Sequence, residues 1–231
     1  MKLLLTSAGI SNDGILHALE ALLGQPLAQS RAVYIPTAMH AVPGGVEYAW
    51  EMHSSVLPAA WGNFGILELT ALPSLPRTHW MPSLSAADAV LVGGGNTPFL
   101  SYWVRRSGLV DVLPAILDSA VYVGVSAGTL LAGARFHIDP DRLEREGVYD
   151  DDLYEDAAPL GFGSSETLGL VDFAIMPHLD SPDFDDMTLN RIERNTTGPA
   201  YVLDDQSAVM VIDRRVTVVS EGNWHYLPER S

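Results

Sequence analysis

Short apolar runs and amphipathic stretches alternate along the first half of the chain. Residues 2–5 form an apolar run that ends in Thr6-Ser7-Ala8-Gly9, the pattern of a buried strand closed by turn residues. Residues 13–23 place Ile15, Leu16, Leu19, Leu22 and Leu23 on one helical face, with Asn12 or Asp13 positioned to cap it. A second strand is predicted at 32–35, closed by Pro36. A helical composition follows at 44–60, then a third strand at 65–69 and a fourth at 89–92. Residues 99–106 and 109–119 read as two helical pieces split at Gly108. Residues 121–123 read as a fifth strand, with Leu130 and Leu131 beginning the helix behind it. Strands that are continuously apolar and alternate with helices imply a mostly parallel sheet covered on both faces.

The pattern changes after residue 138. Residues 139–156 hold nine acids and two arginines with few apolar positions, and the whole stretch of about 139–167 reads as an acidic loop or insertion. The run Asp150-Asp151-Asp152 lacks the alternate ligand spacing and central glycine of a calcium loop, so a solvated loop or a lid over a site is the better description. Beyond it, 170–176 returns as a strand ending at Pro177-His178, 187–195 is helical, and 201–203, 208–212 and 216–219 are closing strands. No repeat or linker divides the chain, so residues 1–231 are expected to form one α/β domain, a three-layer α/β/α sandwich.

Composition narrows the chemistry. The chain has no cysteine, which removes disulfides, thiolate metal sites and a cysteine nucleophile together. Thirteen basic residues against 29 acidic ones give a formal charge of −16, a surface that repels phosphate backbones and argues against nucleic acid as a partner. The apolar start is too short for a signal peptide, and no run approaches the length of a membrane span. The expectation is a cytoplasmic protein without a membrane partner. Trp50, Trp61, Trp80 and Trp103 read as core or interface residues.

Three short motifs carry the candidate chemistry. Gly124-Val125-Ser126-Ala127-Gly128 lies between an apolar strand and a helical run, the setting in which a strained turn lifts a serine oxygen above a sheet. The amide of Ala127, at the start of that helix, points toward a developing oxyanion. Gly93-Gly94-Gly95-Asn96-Thr97 follows the fourth strand. A dinucleotide fingerprint would need glycine where Pro98 stands, and the lysine of a phosphate loop is missing. The alternatives are an ordinary strand-end turn, or the second half of an oxyanion hole formed by the Gly94 and Gly95 amides. Of the seven histidines, His178 lies just beyond a predicted strand and after Ser126, in keeping with a chain order of serine, acid, histidine.

Taken together and in this order, the segments 93–97, 124–128 and Gly169-Leu170-Val171-Asp172-Phe173 leading to Pro177-His178 resemble the peptidase E family of serine peptidases. These are α-aspartyl dipeptidases related to cyanophycinase. The resemblance spans roughly residues 1–225. It implies a fold like the class I glutamine amidotransferase domain and hydrolysis of dipeptides with N-terminal aspartate, without metal or cofactor. It also implies Ser126 as nucleophile, His178 as base, and Gly94, Gly95 and Ala127 as oxyanion donors.

The third triad member is the point of departure. The family pattern expects an Asp or Glu soon after the nucleophile helix. Counting forward from Ser126 reaches Asp139 or Asp141, and counting back from His178 reaches Glu155 or Asp156. Asp139 is preferred because it follows the short apolar stretch 135–138. Glu166 is a further candidate. The expected partner is a small peptide, its aspartate met by a cationic or amide-rich pocket for which Arg135, Arg191 and Arg194 are available. A homodimer is compatible with the sequence. A general α/β-hydrolase esterase, a β-aspartyl hydrolase and an inactive metabolite-binding module are the competing readings.

Overall fold

The computed structural model describes residues 1–47, 49, 60–133, 166–180, 189 and 198–229. Its main sheet has seven strands in the order β3-β2-β4-β5-β1-β8-β9. These are β1 (Lys2–Thr6), β2 (Arg31–Ile35), β3 (Asn63–Ile66), β4 (Ala89–Val92), β5 (Val121–Val125), β8 (Ser207–Ile212) and β9 (Arg215–Ser220). The first five strands of that order run parallel, and β8 and β9 add antiparallel pairs at one side. A three-stranded sheet in the order β10-β7-β6 joins β6 (Ala174–Leu179), β7 (Ala200–Asp204) and β10 (Trp224–Leu227).

The alternation of side chains along each strand builds two cores. Leu3, Leu5, Val33, Ile35, Val90, Val92 and Tyr122 face one side of the main sheet. There they meet α2 (Arg77–Ser85), α3 (Thr97–Arg106), α4 (Leu109–Ile116) and α5 (Ala127–Ala132) through Trp80, Leu100, Leu113 and Leu131. Leu4, Ala32, Tyr34, Ala89, Leu91, Val121 and Val123 face the other side, where α1 (Asp13–Leu23) presents Ile15, Leu19 and Leu22. The period of two in the strands thus produces the expected three layers from runs that look uniformly apolar. Asn12 caps α1, its Oδ1 accepting the Ile15 amide at 2.9 Å, and Gly24 ends the helix in a left-handed conformation. Gly108, at φ +75°, separates α3 from α4.

Several boundaries differ from the sequence expectation. The third strand begins at Asn63, and residues 69–74 form a 3-10 turn instead of continuing it. α2 was not anticipated, because Pro76 before it, Pro82 inside it and its mixed polarity give it no clear apolar stripe. β10 was missed as well: its Trp224, His225 and Tyr226 are exposed, so no alternation marks it. The strand expected at 170–176 instead runs from Ala174 through Leu179, which puts Pro177 and His178 inside it. Most of the helical stretch at 44–60, the acidic stretch as far as residue 165 and most of the helix at 187–195 lie outside the described residues. Among the described residues, no helix is long and apolar enough to cross a membrane.

The junction of β5 with α5 is the tightest part of this frame. A Cβ on Gly128 would collide with the carbonyl oxygen of Val92, so glycine lets α5 lie directly on β4. Tyr122 is fully buried, and its hydroxyl donates to the Gly128 carbonyl at 2.6 Å. Burial pushes the phenol's pKa far above its ordinary value, so it acts as a fixed neutral donor. Tyr122→Phe keeps the shape but leaves that carbonyl without its partner. It is expected to lower stability by about 1–3 kcal/mol, read as a lower urea midpoint with an unchanged m-value.

Candidate active site

Ser126 sits at the end of β5 with φ +49° and ψ −110°, a conformation that few residues with a side chain adopt. The surroundings hold it there. Its amide donates to the carbonyls of Thr6 (3.2 Å) and Ser7 (3.1 Å) at the end of β1. Its own carbonyl accepts the amides of Thr129 and Leu130, starting α5. Thr129 Oγ1 donates to the Thr6 carbonyl, and Thr6 Oγ1 donates to the Gly124 carbonyl, both at 2.8 Å. A Cβ at Gly124 would lie 2.8 Å from Thr129 Oγ1, so the glycine before the turn is a packing requirement.

The three glycines of the 93–95 loop have separate reasons. A Cβ on Gly93 would fall 2.7 Å from the Tyr34 hydroxyl, and one on Gly95 would enter the Ala38 backbone. Gly95 also has φ +124°. Gly94 is the one beside the serine: a Cβ there would stand 3.1 Å from Ser126 Cβ. Asn96 caps α3 through Phe99 N–H at 2.7 Å, and its own amide donates to Ala38. Among the described residues, the Gly94 and Gly95 amides have no hydrogen-bond acceptor. The Ala127 amide, in the first turn of α5, has no intrahelical acceptor. Gly94 packs against Ser126, and Ala127 follows it in the chain.

His178 reaches the serine from the second sheet. Pairing between β6 and β7 shifts register between Met176 and Leu179, where three steps along β6 match two along β7. The bulge puts His178 at φ +68° and turns its ring toward β5. Pro177, which has no N–H, is accommodated because β6 is an edge strand. The contact expected from sequence is present: Ser126 Oγ lies 2.8 Å from His178 Nε2.

The carboxylate on the other ring nitrogen is Asp205, its Oδ1 2.8 Å from His178 Nδ1. The groups joined by these contacts lie in the order serine, histidine, aspartate along the chain, with this carboxylate after His178 and not between residues 126 and 178. Asp139, the preferred candidate, lies outside the described residues, as do Asp141, Glu155 and Asp156. Glu166 is described and pairs instead with Arg105 at 2.7 Å. Asp205 occupies the turn from β7 into β8, the point where the chain passes from the small sheet to the large one. Its neighbour Asp204 builds that turn. Asp204 Oδ1 accepts Gln206 N–H (3.0 Å) and the Ser207 hydroxyl, and its Oδ2 accepts Asn223 N–H. Two adjacent aspartates thus divide the work, one folding the turn and one facing the imidazole. The Asp204-Asp205-Gln206 turn between two predicted strands was visible in the sequence, but its proximity to His178 was not.

Comparison with known proteins agrees with this architecture. Residues 3–219 match the family model described as Peptidase family S51. The chain belongs to peptidase family S51. Proteins similar to it include Peptidase E of Streptomyces coelicolor, 32% identical over 183 residues, covering 78% of this chain and 65% of that protein. Peptidase E of Citrobacter koseri is 26% identical over 211 residues, covering 90% of this chain and 77% of that protein. The match thus spans slightly less than two thirds of the Streptomyces relative's length. Two solved structures share the fold, each with a TM-score of 0.67. A Listeria monocytogenes EGD-e protein named for peptidase E is 22% identical, covering 96% of this chain and 98% of its own. A peptidase from an acI-B1 Actinobacterium is 17% identical, covering 98% and 90%. The S51 assignment and the mostly parallel α/β sheet expected from the sequence agree.

The geometry makes Ser126 the nucleophile to test. A fluorophosphonate probe, which is displaced at phosphorus by an activated serine oxygen, is expected to label the wild-type chain and not Ser126→Ala. Asp205→Asn should slow labelling by about 10³-fold or more, the scale of an orienting carboxylate, while Glu166→Gln labels at the wild-type rate. Equal labelling of the Asp205 and Glu166 variants would remove Asp205 from the relay.

Proposed function

We propose that this chain is a serine exopeptidase acting on short peptides, foremost dipeptides with an N-terminal aspartate. The observation that carries the reading is the continuous contact Ser126 Oγ–His178 Nε2–His178 Nδ1–Asp205 Oδ1, both links 2.8 Å, beside glycine amides that have no acceptor among the described residues. Hydrolytic chemistry follows from that contact. The choice of substrate draws on the relatives called Peptidase E and on the three motifs.

In this mechanism Asp205 accepts a hydrogen bond from Nδ1–H and so fixes the tautomer that leaves Nε2 as a base. Ser126 Oγ attacks the peptide carbonyl carbon as its proton passes to Nε2. The resulting oxyanion is met by the amides of Gly94, Gly95 and Ala127. Collapse breaks the C–N bond, and the departing amine takes the proton from Nε2. Water then attacks the Ser126 ester, giving a proton to Nε2, which returns it to Ser126 Oγ as the acid product leaves. Positive φ at both Ser126 and His178 fits a site in which backbone strain holds reacting atoms in place.

A substrate carboxylate must enter a chain with a formal charge of −16, so it requires a local cation. Arg105 is already engaged, with Glu166 and with the carbonyls of Ser101 and Thr167. Arg135, Arg191 and Arg194, named as available from the sequence, lie outside the described residues. The test offers Asp-p-nitroanilide, its Leu analogue, a β-aspartyl dipeptide and p-nitrophenyl acetate to the wild type and to Ser126→Ala. Turnover of the aspartyl anilide alone, lost in the variant, is the expected result. Preference for the β-aspartyl peptide or for the ester alone would replace the substrate assignment, and full peptidase activity in Ser126→Ala would overturn the mechanism.

A further inference from the structure

Ser7, the residue that follows β1, touches all three members of the relay. It is fully buried. Its carbonyl accepts the Ser126 amide at 3.1 Å. Its hydroxyl accepts the His178 amide at 2.8 Å and donates to Asp205 Oδ1 at 2.6 Å. The same oxygen lies 3.5 Å from His178 Nδ1, too far to displace Asp205 from that nitrogen. We infer that Ser7 is a positioning residue that locks His178 and Asp205 together so that the imidazole stays aimed at Ser126. This rests on the proposed reading of Ser126, His178 and Asp205 as a proton relay.

Two features make the lock necessary. Asp205 is about half exposed, its side chain at 48% of full accessibility, so burial alone does not hold its carboxylate. A competing water or a rotation about χ1 would release Nδ1, and the charge-assisted bond from Ser7 opposes both. His178 stands on a bulge at φ +68°, where the β6 ladder is broken. Its amide is secured by the Ser7 hydroxyl instead of by a neighbouring strand. A serine hydroxyl has one proton to donate and lone pairs to accept with. Here the proton goes to the carboxylate and a lone pair takes the histidine amide, so a single oxygen fixes the backbone of one relay member and the side chain of the next. An ordinary strand-end serine capping a local turn would bond to its own neighbours. Ser7 bonds to residues 171 and 198 positions away.

The experiment uses the full chain and the fluorophosphonate probe, with folding checked by circular dichroism. Ser7→Ala is expected to reduce the labelling rate constant by about 10- to 100-fold, the range for losing an outer hydrogen-bond partner of a functional side chain. Because Ser7 acts through Asp205, Ser7→Ala combined with Asp205→Asn should label no slower than Asp205→Asn alone. In proton NMR, the far-downfield Nδ1–H signal of His178 should be present in the wild type and exchange faster with water in Ser7→Ala. Wild-type labelling in Ser7→Ala, or a multiplicative loss in the double variant, overturns the inference while leaving the relay intact. A wild-type chain that does not label at all overturns the relay itself and this inference with it. If Ser7→Ala does not fold, Ser7→Cys takes its place with the same outcomes, since a thiol is a weaker donor and acceptor of similar shape.

Discussion

The site depends on one constraint: a residue with a side chain held at positive φ where β5 turns into α5. Ser126 tolerates that conformation because its amide has two acceptors at the end of β1 and its carbonyl begins a helix. Gly124 and Gly128 keep the strand and helix close enough for both to be met. The strained turn costs on the order of 1–3 kcal/mol, offset by the packing around it. Its consequence is chemical. The hydroxyl is lifted off the sheet to where the 93–95 loop and the imidazole can approach.

The two sheets supply different halves of the arrangement. The main parallel sheet carries the serine and the glycine loop at the carboxyl ends of adjacent strands, β5 and β4, where open α/β sheets present ligands. The small sheet carries the histidine on β6, and the aspartate stands in the turn after β7. β7 continues through that turn into β8, which lies against β1, so the turn holding Asp205 is anchored to the strand that leads into Ser7. The relative position of Ser126 and His178 is therefore fixed by backbone pairing and not by side-chain contacts alone.

Glycine in this region has more than one meaning. Gly93 and Gly95 are required by Tyr34 and by the Ala38 backbone, whereas Gly94 is the one packed closely against Ser126. In sequence the three are indistinguishable, and a loop that looks uniformly permissive is rigidly seated at two of its three positions. The adjacent pair Asp204-Asp205 is the polar counterpart: one carboxylate is consumed by turn amides and a hydroxyl, and only the other is free to face a ring nitrogen.

The sequence by itself determined the layered parallel sheet, the strand–turn–helix around Ser126 and the glycine loop, and it singled out His178 as the histidine to meet Ser126. Each of these is a local pattern: an apolar period, a turn composition or a motif whose residues are close together in the chain. The bulge that seats His178 inside β6, the carboxylate of Asp205 and the bridging hydroxyl of Ser7 were decided only by the tertiary structure. They come from segments separated by 27 and by 171 residues, brought together by pairing between strands. Nothing in the local composition of Asp204-Asp205 or Thr6-Ser7 distinguishes them from ordinary turn residues, because side-chain chemistry sets what a residue can do and long-range packing sets which partner it meets.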